Sequence, residues 1–289
     1  MSPLAVEPPV ASPRTLADAY ALLADGGPAW RPLAGGTDLM VQIEAGTAPR
    51  PERVLDLWGL RELRGIEADA GAVSIGALTT YTELRRSPLV RDRLPVLAEA
   101  AATIGALQIQ NRGTLGGNIV NASPAGDSLP ILLACDAIIV LGGPRGVREV
   151  AAEAFFIGYR RIARADDELV LRVRIPAPAG REVRFRKVGT RRAQAISKVV
   201  LALAWRPDAV GAWRNVRVAL GSVAERPVRV PGAEAALDGA RPTPQTAAAA
   251  AEAVMTGIEP IDDVRSTADY RRAVSGRILH RIVRDAGGW

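Results

Sequence analysis

Apolar residues recur at helical spacing between Thr15 and Gly27, in "TLADAYALLADGG", and the stretch predicts a helix that stops at a glycine pair. "WRPLAGG" (30–36) reads as a short strand running into a turn, and "RVLDL" (53–57) as another short strand. Two alternating runs around "ADAG" in residues 63–80 predict a hairpin. Residues 82–106 keep a helical pattern that Pro88 and Pro95 must interrupt, since proline lacks the amide proton and clashes with the preceding turn. "IQNRGTLGGNIVNASPAGD" (109–127) is rich in glycine, asparagine and proline and predicts irregular chain. "SLPILLACDAIIVLGG" (128–143) predicts a short helix and a strand, "GGPRG" (142–146) a turn, and "DELVLRVRIPAPAGR" (167–181) a strand followed by a proline-rich link.

A domain boundary is therefore expected near 176–180. Beyond it, "EVRFRKVG" (182–189), "ISKVVLALAW" (196–205) and "GAWRNVRVALGSV" (211–223) alternate as strands of an antiparallel sheet. Residues 231–240, 246–257 and 267–286 are amphipathic or alanine-rich and predict helices, because alanine is the best helix former. The expected fold class is α+β, with residues 1–177 as one domain (subdomains 1–57 and 58–177) and 178–289 as a second, a three-stranded antiparallel sheet with helices. No internal repeat is evident.

Composition narrows the chemistry. The 289 residues are 48% hydrophobic and 24% charged, a globular balance long enough for a substantial core. No apolar run reaches membrane-span length, and the N-terminus shows no basic-then-apolar signal, so a cytoplasmic protein without a membrane span is expected. The net charge of +6 admits a nucleic-acid partner, but arginines are scattered and aromatics are only 4%, so no stacking platform exists and none is expected. Cys135 is the only cysteine and lies in an apolar run, which leaves no disulfide or cysteine metal site. His280 is the only histidine and falls in a late helical pattern, which argues against a histidine base.

Two glycine clusters carry the remaining chemistry: Gly35-Gly36-Thr37-Asp38, and Gly113 to Asn118 in "GTLGGN". Glycine permits positive φ and lets a ligand reach backbone N–H groups, and successive N–H groups form an anion-binding nest. Each cluster alone reads as an ordinary glycine turn, and it is the pair, with hydroxyl or amide side chains beside the glycines, that points to a phosphate-bearing ligand. Neither is G-x-G-x-x-G between a strand and a helix, and no G-x-x-x-x-G-K-[ST] occurs. A diphosphate with two long arms would account for two separate loops.

"PLAGGTDL" with "NRGTLGGNIVNASPAGD" closely resembles the FAD-binding medium subunit of the molybdenum hydroxylases, the xanthine dehydrogenase and carbon monoxide dehydrogenase type enzymes. "IGALTTYTEL" (75–84), "DELVLRVRIP" (167–176), "FRKVGTRRAQAISKV" (185–199) and "DVRSTADYRR" (263–272) resemble that family in its order, over nearly the whole chain. The resemblance implies a bipartite FAD-binding domain of the vanillyl-alcohol-oxidase (PCMH) type and a small C-terminal domain of the carbon monoxide dehydrogenase flavoprotein type. Leu33, Ala34, Gly35, Gly36, Thr37, Asp38 and Leu39 would form the first FAD loop. Thr114, Leu115, Gly116, Gly117 and Asn118 would form the second, with backbone N–H groups and threonine hydroxyls donating to phosphate. Asp38 would act through its N–H or as a cap, since its carboxylate repels phosphate. Asp127 matches an acid near the cofactor hydroxyls, or else caps the following helix. Lys187 matches a cation at the flavin's pyrimidine edge, or else is a solvated strand lysine. Phe155, Phe156 and Tyr159 fit the core better than a flavin stack. Ala193, Gln194 and Ala195 depart from the acidic or aromatic residues of many relatives, which leaves the electron acceptor open.

The implied role is an electron-transfer subunit. It would take electrons from two [2Fe-2S] clusters on a small partner and pass them to NAD, a quinone or dioxygen. A large partner would carry the molybdenum-pterin cofactor, in a dimer of heterotrimers. A stand-alone FAD oxidoreductase of the same fold is the alternative. With one cysteine, this chain holds no cysteine-ligated cluster itself.

Overall fold

The computed structural model describes residues 7–191 and 194–289; Ala193 lies outside the described residues. The chain opens with β1 (Val10–Ala11), α1 (Leu16–Leu23), β2 (Trp30–Leu33), α2 (Leu39–Glu44) and β3 (Arg53–Asp56). The strands form a parallel sheet in the order β1-β3-β2, with Leu33 opposite Asp56. Thr15 caps α1 by accepting from the Asp18 N–H at 3.1 Å. Ala19 of α1, Leu55 and Leu57 then pack with Leu60 and Leu63 beyond the sheet.

β4 (Ile66–Ala68) and β5 (Ala72–Gly76) form the expected hairpin, whose turn is held by Asp69 Oδ1 accepting from the Gly71 and Ala72 N–H groups. The next helical stretch breaks at both prolines into α3 (Tyr81–Arg86), α4 (Pro88–Arg93) and α5 (Pro95–Thr103). Thr80 and Glu83 close a capping box on α3, and each proline occupies a first-turn position where no N–H is needed.

The stretch expected to be irregular is largely helical, as α6 (Leu107–Arg112) and α7 (Leu115–Asn121). Composition misled because α7 needs its glycines: Thr114 caps it, Leu115 and Ile119 bury one face, and a Cβ on Gly116 would lie 2.6 Å from the Ala77 Cβ. Then follow α8 (Leu129–Ala134), β6 (Ile138–Gly143), β7 (Gly146–Ala151), α9 (Ala152–Phe155), β8 (Phe156–Gly158), β9 (Arg161–Ile162) and β10 (Leu169–Pro176). β7, β8 and β9 were not foreseen. The second sheet runs β4-β5-β10-β6-β7, all antiparallel. Its central strands are buried on both faces: Val73, Ile75, Ile139 and Val173 meet the helices, while Val140, Leu169 and Leu171 meet the N-terminal layer.

The rest is β11 (Glu182–Val188), β12 (Val199–Pro207), β13 (Trp213–Gly221), β14 (Val228–Arg229), α10 (Pro231–Leu237), α11 (Pro244–Thr256) and α12 (Ala268–Gly287). The sheet is antiparallel as expected, with β14 as a fourth, two-residue edge strand. β14 is too short for periodicity to reveal. β12 shows why the two parts adhere. Val200, Ala202 and Ala204 face the first part's core, while Val199, Leu201 and Leu203 pack against the last three helices. Cys135 is fully buried, and His280 packs edge-on to Trp289 at 5.7 Å. Among the described residues, no helix is long and apolar enough to cross a membrane.

Candidate functional site

A cleft opens between the N-terminal sheet and the helices α3, α6 and α7, and both glycine clusters border it. β2 ends at Leu33, whose carbonyl accepts the Leu57 N–H at 2.9 Å, and the chain turns into α2 through Ala34 to Asp38. The N–H groups of Gly35, Gly36, Thr37 and Asp38 have no acceptor among the described residues. Gly36 takes φ +75°, which an L-residue rarely adopts. Four successive free donors make the first loop an anion-binding nest.

The second loop differs from expectation. The Leu115 N–H donates to the Thr79 carbonyl at 3.0 Å and the Gly116 N–H to that of Ala77 at 2.9 Å. The Gly117 N–H goes to Thr114 Oγ1 and the Asn118 N–H to the Thr114 carbonyl, each at 3.0 Å. These amides are spent on docking and capping α7. What this loop can offer is the Thr114 N–H, which has no acceptor among the described residues, the Thr114 hydroxyl proton and the Asn118 side-chain amide, whose Oδ1 already accepts from Ser128 Oγ at 2.7 Å. Leu115 is fully buried in the core and does not border the cleft, whereas Leu33, Ala34 and Leu39 do.

The loops touch each other. A Cβ on Gly35 would lie 1.8 Å from the Arg112 carbonyl oxygen. Gly35 is thus a close-approach glycine between two chain segments, and Gly36 is the one that makes the turn. Trp58 packs under the same junction, with the Arg112 guanidinium 3.9 Å and that of Arg64 4.5 Å from its ring centre.

Asp38 precedes α2 but makes no side-chain cap bond. It is exposed at the cleft mouth, yet the walls desolvate its carboxyl and raise its pKa, with Arg160 and Asn121 pulling the other way. Asp127 and Lys187 lie 60 residues apart in sequence and meet in a buried ion pair: Lys187 Nζ donates to Asp127 Oδ2 at 2.5 Å and to the Thr103 carbonyl at 3.0 Å. Ser197 Oγ donates to Asp127 Oδ1, also at 2.5 Å. Neither member borders the cleft, although Thr103, which Lys187 reaches, immediately precedes Ile104 of the cleft lining. Burial raises the Asp127 pKa against the opposing pull of Lys187 and Ser197. The capping and solvated-lysine readings of these two residues are both overturned.

Phe155 and Phe156 form an edge-on pair in the core at 5.3 Å, but Tyr159 is exposed. Gln194, at φ +52°, is exposed, and its carbonyl accepts from Arg191. Sequence reading missed Gln42, Tyr81, Asn121 and Arg164, all bordering the cleft. Asn121 Oδ1 accepts from Gln42 Nε2 and from Arg160 Nη1. The Tyr81 hydroxyl is buried with no hydrogen bond of ordinary geometry among the described residues, and burial raises its pKa far above the usual phenol value. Tyr81 and Asn121 fall inside the quoted family segments without having been singled out, Gln42 and Arg164 lie outside them, and only the tertiary fold gathers the four.

Two loops meeting over a cleft, with a nest of free amides on one of them, define a bipartite nucleotide-binding domain carrying a small α+β domain. The model of the "FAD binding domain in molybdopterin dehydrogenase" matches residues 5–178, and that of the "CO dehydrogenase flavoprotein C-terminal domain" matches residues 184–286. The carbon monoxide dehydrogenase medium chain of Hydrogenophaga pseudoflava is 35% identical over 277 residues, 95% of each chain. The xanthine dehydrogenase FAD-binding subunit of Escherichia coli O157:H7 is 34% identical, again over 95% of each. A solved carbon monoxide dehydrogenase from Hydrogenophaga pseudoflava superimposes with a TM-score of 0.91 at 36% identity, over 95% of each chain. The chain belongs to the FAD-binding medium subunits of the molybdenum hydroxylases.

Proposed function

We propose that this protein is the FAD-carrying electron-transfer subunit of a molybdenum-containing hydroxylase. The observation that carries the reading is the run of four unpaired amides, Gly35 to Asp38, in the cleft. A dinucleotide flavin's diphosphate supplies acceptors for such donors, and a leucine-lined end suits a planar ring. The proposed FAD residues are Leu33, Ala34, Gly35, Gly36, Thr37, Asp38 and Leu39 on the first loop, and Thr114, Gly116, Gly117 and Asn118 on the second. Leu115 supports them from the core. Asp127 would serve the cofactor hydroxyls and Lys187 the flavin's pyrimidine edge, from behind the residues that border the cleft, with their mutual pairing fixing both. Bound FAD would supply reversible electron storage; the chain's residues orient it and exclude water.

The proposed domains are residues 1–177 (subdomains 1–57 and 58–177) and 178–289. Relatives named as medium chains or subunits support a complex over a free-standing flavoenzyme. The partners would be a molybdopterin-binding large subunit and a small subunit with two [2Fe-2S] clusters, in a cytoplasmic dimer of heterotrimers. NAD, a quinone or dioxygen would take the electrons. The test is a cofactor and metal inventory of the protein purified from its native host. Flavin, iron and molybdenum with two further polypeptides are expected. FAD on a lone polypeptide, or no flavin at all, refutes the assignment.

A further inference from the structure

The segment "DVRSTADYRR" (263–272) carries a buried charge that does not border the cofactor cleft. Arg271 is the fourth residue of α12 and is only 3% exposed. Burial and the helix dipole both oppose a cation there, so its place requires partners that offset them. Its Nη2 donates to Asp263 Oδ1 at 2.7 Å. Its Nη1 donates to two backbone carbonyls, that of Lys198 at 2.9 Å and that of Ser222 at 2.8 Å. Lys198 leads into β12 and Ser222 follows β13, and these strands are paired neighbours, so one guanidinium ties their ends together.

Both tied ends reach the Asp127–Lys187 pair. Ser197, one residue before Lys198, donates its hydroxyl to Asp127 Oδ1 at 2.5 Å. The Ser222 N–H donates to the carbonyl of Pro124, three residues before Asp127, at 2.7 Å. Ser222 holds φ +65°, which residues other than glycine rarely adopt, and the bond from Arg271 to its carbonyl helps to fix it there. Lys187 lies opposite Val200 of β12, and the Lys198 N–H donates to the neighbouring Val188 carbonyl at 2.8 Å. We infer that Arg271 is a positioning residue: by tying the ends of β12 and β13 it seats Asp127 and Lys187, and so sets the reduction potential of the bound flavin. The inference rests on the FAD reading above, with Lys187 at the flavin's pyrimidine edge, and adds the residue outside the cleft that holds this lysine in place.

The test uses the full chain loaded with FAD and reads the flavin's midpoint potential by spectroelectrochemical titration. A cation at the pyrimidine edge favours the reduced, more negative ring, so a displaced Lys187 lowers the potential. Arg271→Lys keeps the charge but loses the fork that spans two carbonyls and a carboxylate. It is expected to weaken the preference for reduced over oxidised FAD about tenfold, which is about 30 mV for a two-electron couple. In the Lys187→Met, Asp127→Asn double variant, which lacks the pair, the same substitution should change that preference less than about twofold. Asp263→Asn keeps the arginine, loosens its anchor, and should lower the potential by about threefold in the same ratio; it decides the question if Arg271→Lys does not fold. An unmoved potential, or an equal shift without the pair, overturns the inference, and a lower melting temperature alone would make Arg271 merely structural. In the flavin-free chain, hydrogen exchange of the Ser222 amide should quicken about tenfold in Arg271→Lys, and unchanged exchange also overturns the inference. A wild-type chain that retains no FAD overturns the FAD reading instead, and a wild-type potential in the Lys187→Met, Asp127→Asn variant overturns the placement of Lys187.

Discussion

Gly35→Ala adds one methyl group at the point where the two cleft loops meet. The new Cβ would lie 1.8 Å from the Arg112 carbonyl oxygen, 2.6 Å from its carbonyl carbon and 3.2 Å from the Gly113 nitrogen. All three are backbone atoms, so no rotamer change relieves the clash. Real Cβ contacts essentially never fall below 3.0 Å, so the loops must part, by about 1 Å or more. Overpacking of this kind costs about 1–3 kcal/mol. If it falls on the arrangement that holds the cofactor, the FAD dissociation constant rises by about 5- to 150-fold. Gly36→Ala is the control. Its Cβ would meet only the Met40 and Leu33 side chains, at 3.4 and 3.5 Å, so the loops stay in place. It must still hold φ +75°, a strain of about 1–2 kcal/mol that lowers stability without separating the loops. The assay is flavin fluorescence titration of the flavin-free chain, with thermal unfolding in parallel. Gly35→Ala should lose more FAD affinity than Gly36→Ala. An affinity within about twofold of wild type for Gly35→Ala would show that the loop contact does not shape the site.

Two further outcomes follow from the ion pairs. Lys187→Met strands the buried Asp127 carboxylate and should cost about 3–5 kcal/mol in denaturant unfolding, much of it recovered in the Lys187→Met, Asp127→Asn double variant; no recovery would mean that the pair is not what the lysine supports. Arg148 holds the Glu168 carboxyl below its ordinary value of 4.5, so this acid's contribution to stability is complete above that value and is lost as pH falls below it. The melting temperature should therefore drop more steeply below about pH 4.5 in wild type than in Glu168→Gln, and parallel curves would contradict the assignment.

Much of the site was legible in the residues because glycine and proline act locally. The breaks at Pro88 and Pro95, the hairpin turn at Asp69 to Gly71 and the positive φ at Gly36 depend on a few neighbouring residues and on rules of backbone sterics. The same locality explains a miss. Glycine-rich composition argued against helix at 115–121, where Ala77 demands a glycine that no short-range pattern reveals.

The sequence by itself determined that this chain is an α+β flavoprotein of its family, since the two glycine motifs and the order of the flanking segments are properties of the chain alone. Only the tertiary structure decided what each motif does. It left the first loop's amides free and spent those of the second on Ala77, Thr79 and Thr114. It sent Leu115 to the core and joined Asp127 to Lys187. The physical reason is range. Turn and helix preferences are fixed within about four residues of chain, whereas a hydrogen-bond partner or a dielectric environment is fixed by whatever the fold brings within a few ångströms.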